Sequence, residues 1–163
     1  MQRHFCYTRS AAIRSRVYYE VIMIGAIIAR KAAENAFRAL SNHDLTGFMS
    51  AWRDDGVLIY PGDIWASGTF IGKPAVEEWC RKFFDQYPKI HFDVQQICAE
   101  NIFAMSGTNV ITVHWNIYLT NRTGRVGENS GVSVISLKAG KVIQVKDFVF
   151  DLGENFRLNW GVA

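Results

Sequence analysis

The segment Asn109–Thr120 constrains the fold more than any other stretch of the chain. It alternates without interruption, and successive residues of a strand point to opposite sides. One side carries Ile111, Val113, Trp115, Ile117 and Leu119, and the other Val110, Thr112, His114, Asn116 and Tyr118. A strand with one uniformly apolar side belongs in a half-buried antiparallel sheet. Its neighbours in sequence supply that sheet. Further strands read at Ile90–Ile97, Ile102–Ser106, Asn129–Leu137 and Val142–Phe150, with hairpin signals at Thr123-Gly124 and Ala139-Gly140-Lys141. Everything after Lys89 reads as strand.

Before Lys89 the period is mostly helical. From about Tyr19 to Leu40, Ile24, Ile27, Ile28, Phe37 and Leu40 fall near one stripe, and Asn42-His43-Asp44 stops the helix. Asp44 caps a second helix carrying Leu45, Phe48, Met49 and Trp52, which Asp54-Asp55-Gly56 ends. Val57–Tyr60 reads as a short strand and Ser67–Ile71 as its return. Pro74 sits in the first turn of a third helix whose buried side is Val76, Trp79, Phe83, Phe84 and Tyr87. Helices first and a strand meander after give an α+β fold, with about three N-terminal helices packed on one face of a curved sheet.

The 163 residues fit one domain. Residues 1–16 are polar and unpatterned and read as a flexible or partner-swapped basic arm, leaving 17–163 as the domain. The net charge of +3 is concentrated at that end, where Arg3, Arg9, Arg14, Arg16, Arg30 and Lys31 face Glu20 alone. The remainder is slightly acidic, which argues against a nucleic-acid partner. The apolar run Val21–Ala29 is too short to span a bilayer. Cys6, Cys80 and Cys98 have no close pairing and read as free thiols of a reducing compartment, so a cytoplasmic location is expected. No His, Cys or carboxylate cluster has metal spacing and no nucleotide loop is present, so neither metal nor cofactor is expected.

The two-sided strand leaves two readings open. In one, the polar side is merely solvated. In the other, it lines a pocket roofed by the helices, and the apolar side forms a homodimer interface; helices that need a sheet to cover favour this second reading. In the last strand Val145, Asp147 and Val149 share a side, and Asp151 rejoins it if the strand stays extended.

The segment Ala33–Val57, with its "D-L" helix start and "R-D-D-G" ending, resembles the opening of SnoaL-like proteins of the nuclear-transport-factor-2-like superfamily. Gly68-Thr-Phe-Ile-Gly-Lys-Pro-Ala-Val looks like their third-helix entry, and Leu137–Asp147 is similar to their closing "G-K-I" hairpin and final strand. The resemblance implies a cone-shaped α+β barrel, frequent dimers and chemistry on small apolar molecules. It covers polyketide cyclases, ketosteroid isomerases, dehydratases, epoxide hydrolases and non-catalytic binders, so fold alone does not choose among them. Against limonene epoxide hydrolase, the final-strand catalytic aspartate falls on Asp147, and two further site positions fall on His114 and Asn116, which differ in type. Against ketosteroid isomerase, the base falls near Tyr60 and the acidic oxyanion donor near Ser133. The cyclases' catalytic aspartate falls on Asp147 or Asp151.

A carboxylate between Val145 and Val149 resists ionisation, which suits a general acid or base. His114 exchanges protons near neutral pH without tuning. Asp147 and His114 are therefore the expected proton carriers, with Asn116 and Tyr60 hydrogen-bonding a carbonyl or enolate oxygen. Tyr118, Trp65, Trp79, Ser133, Val149 and Asp151 are the expected ligand contacts. The expected activity is a cofactor-independent isomerase, cyclase or dehydratase acting on a small apolar carbonyl compound in secondary metabolism. The alternatives are a non-catalytic binding module and an epoxide hydrolase in which His114 activates water.

Overall fold

A computed structural model of the chain describes residues 27–101 and 106–161. The expected basic arm, the expected helical stretch from about Tyr19 to residue 26, and Cys6 lie outside the described residues. The elements run α1 (27–41), α2 (Leu45–Ser50), β1 (Trp52–Tyr60), β2 (Gly68–Ile71), α3 (Lys73–Gln86), β3 (Lys89–Ala99), β4 (Asn109–Thr120), β5 (Val126–Lys138), β6 (Lys141–Val149) and α4 (Glu154–Asn159). The strands form one open, curved mixed sheet in the order β2-β1-β6-β5-β4-β3. Only β1 and β6 are parallel; every other neighbouring pair is antiparallel. Register shifts interrupt β1 between Trp52 and Val57 and β3 between Val94 and Gln96, and opposite Ser136 and Leu137 of β5 the extra residue, Ile143, is on β6. Bulges of this kind bend a strand, and they let the sheet wrap around the helices.

The helices pack on one side of the sheet. On α1 the buried stripe is Ala29, Ala33 and Phe37, at helical spacing, while Ile27 and Ile28 are exposed rather than buried as the periodicity suggested. Asp44 caps α2 by accepting from Gly47 N at 2.8 Å. Pro74 opens α3, which buries Val76, Trp79, Cys80 and Phe83. Ser41 Oγ accepts from Phe92 N at 3.0 Å, and His43 Nε2 lies 2.8 Å from Tyr87 O, tying the α1–α2 corner to β3 and to the end of α3.

Three local expectations are corrected. Trp52 opens β1 rather than closing α2, because the bulge carries Asp54-Asp55-Gly56 within the strand. Of the expected strand Ile102–Ser106, residues 102–105 lie outside the described residues and Ser106 is in a turn. Finally, the last described element is not a strand. Six residues, Glu154–Asn159, form α4, with Glu154 in its first turn and Arg157 in its last, the polarity the helix dipole favours.

Candidate functional site

The sheet, α1–α3 and α4 enclose a cavity of about 460 Å³, a size suited to a small organic ligand. Its walls are chiefly aromatic and aliphatic: Phe37 and Phe48, Trp79 and Phe83, Trp115 and Ile117, Phe156 and Trp160. The lining strand residues decide between the two readings of β4. Trp115, Ile117 and Leu119 face the cavity, so the apolar side of the strand is the covered one. The expectation that the polar side lines the pocket is therefore overturned, and helices occupy the side assigned to a dimer interface. The physical reason is simple: an apolar cavity is built from the apolar face, and the polar face is left to water.

On the cavity side, pairing brings three polar side chains into one row. β5 and β6 set Ser133 opposite Asp147. β1 and β6 run parallel with Leu58 beside Val145 and Ile59 beside Lys146, and the next position along puts Tyr60 beside Asp147. The row Tyr60, Asp147, Ser133 thus crosses the middle of the sheet, and all three line the cavity. Ser133 Oγ donates to Asp147 Oδ1 at 2.5 Å, and Trp115 Nε1 donates to Ser133 Oγ at 2.9 Å. The indole reaches Ser133 because residue 131 is glycine: a Cβ there would lie 2.7 Å from the Trp115 ring. A short relay therefore holds one carboxyl oxygen of Asp147. No hydrogen bond from the described residues reaches the other oxygen, Oδ2.

The surroundings make Asp147 an unusual carboxyl. It is half-buried, and it lines the cavity rather than the outer surface. Burial pushes its pKa from 3.8 up to about 6, and the hydrogen bond from Ser133 restrains that rise. Tyr60 is driven the same way, well above the usual phenol value, by burial and then by electrostatic repulsion from Asp147 and Tyr87, while hydrogen bonding from Trp160 opposes the shift. Its ring lies 5.1 Å from Trp79 and 5.6 Å from Trp160. The Tyr60 phenol consequently keeps its proton at any physiological pH. Cys80, on the α3 wall, is pushed up to about 12 by burial and stays a thiol.

The other sequence-expected residues divide by face. Val149 and Trp79 line the cavity, the latter with its indole N–H fixed on Ala66 O at 2.9 Å. Asp151 is exposed at the mouth with Arg125, Glu128 and Asn155. His114 and Asn116 lie across the sheet: His114 pairs with Val132 and Asn116 with Ser130, and Val132 pairs in turn with Phe148, on the side away from Asp147. The His114 ring rests 6.0 Å from Phe150. A shift of one residue reverses a strand's faces, so an Asp147–His114 pair is not formed and His114 is not placed to activate water at Asp147. Tyr118 is on the same outer side, with its ring 6.1 Å from His91. Trp65 is 45 % exposed and lies outside the lining, donating from Nε1 to Trp160 O at 3.0 Å.

Missed in the sequence were Trp115, whose side of β4 was expected at an interface, and the residues of α4 and its C-cap. Phe156, Asn159 and Trp160 close one end of the cavity. Phe156 and Trp160 stand four apart, an apolar helical pair that was available as a signal. Gln86 Nε2 and Asn121 Nδ2 donate to Asn159 O at 2.8 and 3.1 Å, and Arg157 pairs with Asp63 at 2.8 Å, so the helix is fastened from three directions. Among the described residues no group of three or more His, Cys, Asp or Glu is arranged to hold a metal ion. No described helix is long and apolar enough to cross a membrane.

An open, curved α+β sheet that houses a cavity under its helices defines the NTF2-like class. Residues 33–145 match the SnoaL-like domain, and the chain belongs to that family. Solved structures share the fold. Bal32a, from a soil-derived mobile gene cassette, is similar with a TM-score of 0.70 at 14% identity, covering 83% of this chain and 98% of that one. An NTF2-like protein of unknown function from Burkholderia pseudomallei gives 0.67 at 21%, with 80% and 96% covered. TerC, co-crystallised with polyporic acid, gives 0.63 at 14%, with 75% and 91% covered. These identities establish likeness of fold alone. No curated protein matches the chain.

Proposed function

We propose that the protein is a cofactor-independent acid–base catalyst that moves a proton on a small, largely apolar carbonyl compound held in the cavity. The observation that carries this reading is Asp147: a carboxyl with a pKa of about 6, facing an apolar cavity, with one oxygen fixed and the other unengaged among the described residues. At pH 7 a group of that pKa is roughly nine-tenths ionised, yet basic enough to take a proton from carbon. Asp147 Oδ2 removes the proton next to the ligand carbonyl, and the C–H electron pair moves onto the carbonyl oxygen. The Tyr60 O–H, which cannot itself ionise here, donates to that oxygen as its charge grows. Protonated Asp147 then returns the proton to another carbon, giving an isomer. If the enolate carbon instead attacks a second carbonyl of the same ligand, a ring closes as that carbonyl's π pair moves onto its oxygen, and protonated Asp147 gives the resulting alkoxide its proton. Ser133 and Trp115 position the carboxyl, and the aromatic walls exclude water. TerC, of the same fold, was crystallised with polyporic acid, which accords with a cavity that holds a small organic molecule.

The reading is tested by deuterium exchange at the carbon beside the carbonyl of tetralone in heavy water, followed by NMR. The protein accelerates exchange and Asp147→Asn abolishes the acceleration while preserving the fold. Exchange at the parental rate in Asp147→Asn refutes the assignment. Tight tetralone binding without exchange in the parent supports the alternative of a non-catalytic binding module.

A further inference from the structure

Among the described residues, two side-chain polar atoms are buried without a hydrogen-bond partner: Tyr87 Oη and Asn159 Oδ1. Both residues line the cavity, and they are 0% and 7% exposed. They also lie together. The side chain of Gln86, next to Tyr87, reaches the main-chain carbonyl of Asn159 at 2.8 Å, and the Tyr87 ring stands edge-on to Trp160, next to Asn159, at 5.0 Å. Leaving a buried polar atom unpaired costs on the order of 1–3 kcal/mol. Most buried polar groups of a native fold are paired, so two unpaired ones in neighbouring residues call for an explanation. The surrounding framework is not loose: the Asn159 carbonyl accepts from two side chains, and Trp65 holds the Trp160 carbonyl. The segment is anchored through its main chain while the Asn159 side-chain oxygen stays unsatisfied.

We propose that Tyr87 and Asn159 form a hydroxyl-binding subsite at the α4 end of the cavity, so that the ligand is a hydroxylated carbonyl compound rather than a plain ketone. A hydroxyl is the simplest group that accepts from a phenol O–H and donates to an amide oxygen. Tyr60 and Tyr87 both pack against Trp160, at 5.6 and 5.0 Å between ring centroids, so the subsite and the Asp147 end share one wall of the cavity. The ligand carbonyl then lies at Tyr60 and Asp147, and its hydroxyl at Tyr87 and Asn159. The carbonyl end of this assignment rests on the acid–base reading; the hydroxyl end stands on the unpaired atoms alone.

The test uses Tyr87→Phe and Asn159→Leu in the full chain, with tetralone and its monohydroxylated isomers as probes. Affinity is read from quenching of tryptophan fluorescence, and stability from thermal melting without ligand. The parent binds at least one hydroxylated isomer about tenfold or more tightly than tetralone, as two hydrogen bonds of ordinary net strength provide. Each variant loses that preference and melts at or above the parental temperature, because it discards an unsatisfied group. Absence of any preference in the parent overturns the proposal. So does a variant that keeps the preference, or one that melts several degrees lower, since a lowered melting temperature marks a structural role. Asp147→Asn separates the two readings: the hydroxyl preference persists in that variant whether or not exchange is lost.

Discussion

Replacing Asp147 with asparagine stabilises the fold at neutral pH and leaves it unchanged in acid. Folding raises this carboxyl from 3.8 to about 6 because the cavity disfavours its charge. Between those values the folded protein holds the proton more firmly than the unfolded chain, so stability falls as pH rises through that window. The cost is fully present above the folded value and absent below the unfolded one. A shift of about two pH units corresponds to about 3 kcal/mol. Asparagine is uncharged throughout, and its side-chain oxygen still accepts from the Ser133 hydroxyl, so the relay from Trp115 survives. Urea unfolding near pH 8 therefore shows Asp147→Asn more stable than the parent by about 2–3 kcal/mol. The gap closes as the pH is lowered toward the unfolded-state carboxyl value of about 4. A variant that is equal or less stable near pH 8 refutes the claim that burial strains this carboxyl. A gap that persists unchanged into acid refutes its electrostatic origin.

Two further substitutions separate the faces of the sheet. Ser133→Ala removes the hydrogen bond that restrains Asp147 and strands the Trp115 N–H. The acidic limb of the exchange-rate profile then moves up by about one pH unit, as loss of a hydrogen bond to a charged group implies, and Ser133→Thr restores it. His114→Ala and Asn116→Ala, on the outer side, leave tetralone exchange within about twofold of the parent, as expected of surface positions away from the site.

Most of the architecture was legible from periodicity. The β4 alternation, the Pro74 helix start and the Asp44 cap are local signals, and each acts within a few residues of where it is read. The orientation of the sheet was not local. Alternation separates His114 from Trp115 but does not say which of them the helices cover, and that depends on contacts with α1–α3 far along the chain. The polar series holds the residue types that carry chemistry, His114 and Asn116, whereas a cavity for an apolar ligand is made from the plainer side. Tyr60, Ser133 and Asp147 became neighbours only through the β1–β6 and β5–β6 registers, which no single stretch encodes. The six-residue α4 carries one local signal, the Phe156–Trp160 spacing, but its place at the cavity depends on Gln86 and Tyr87, far away in the chain.

The most direct test of the account follows the carboxyl carbon of Asp147 by NMR in protein labelled at its aspartates, assigned by its loss in Asp147→Asn. The resonance titrates with a midpoint near 6, the value its buried setting gives it, and the midpoint moves when hydroxylated tetralone is added. A midpoint near the ordinary aspartate value of about 4, indifferent to ligand, contradicts the central claim that this carboxyl is held in the cavity for proton transfer.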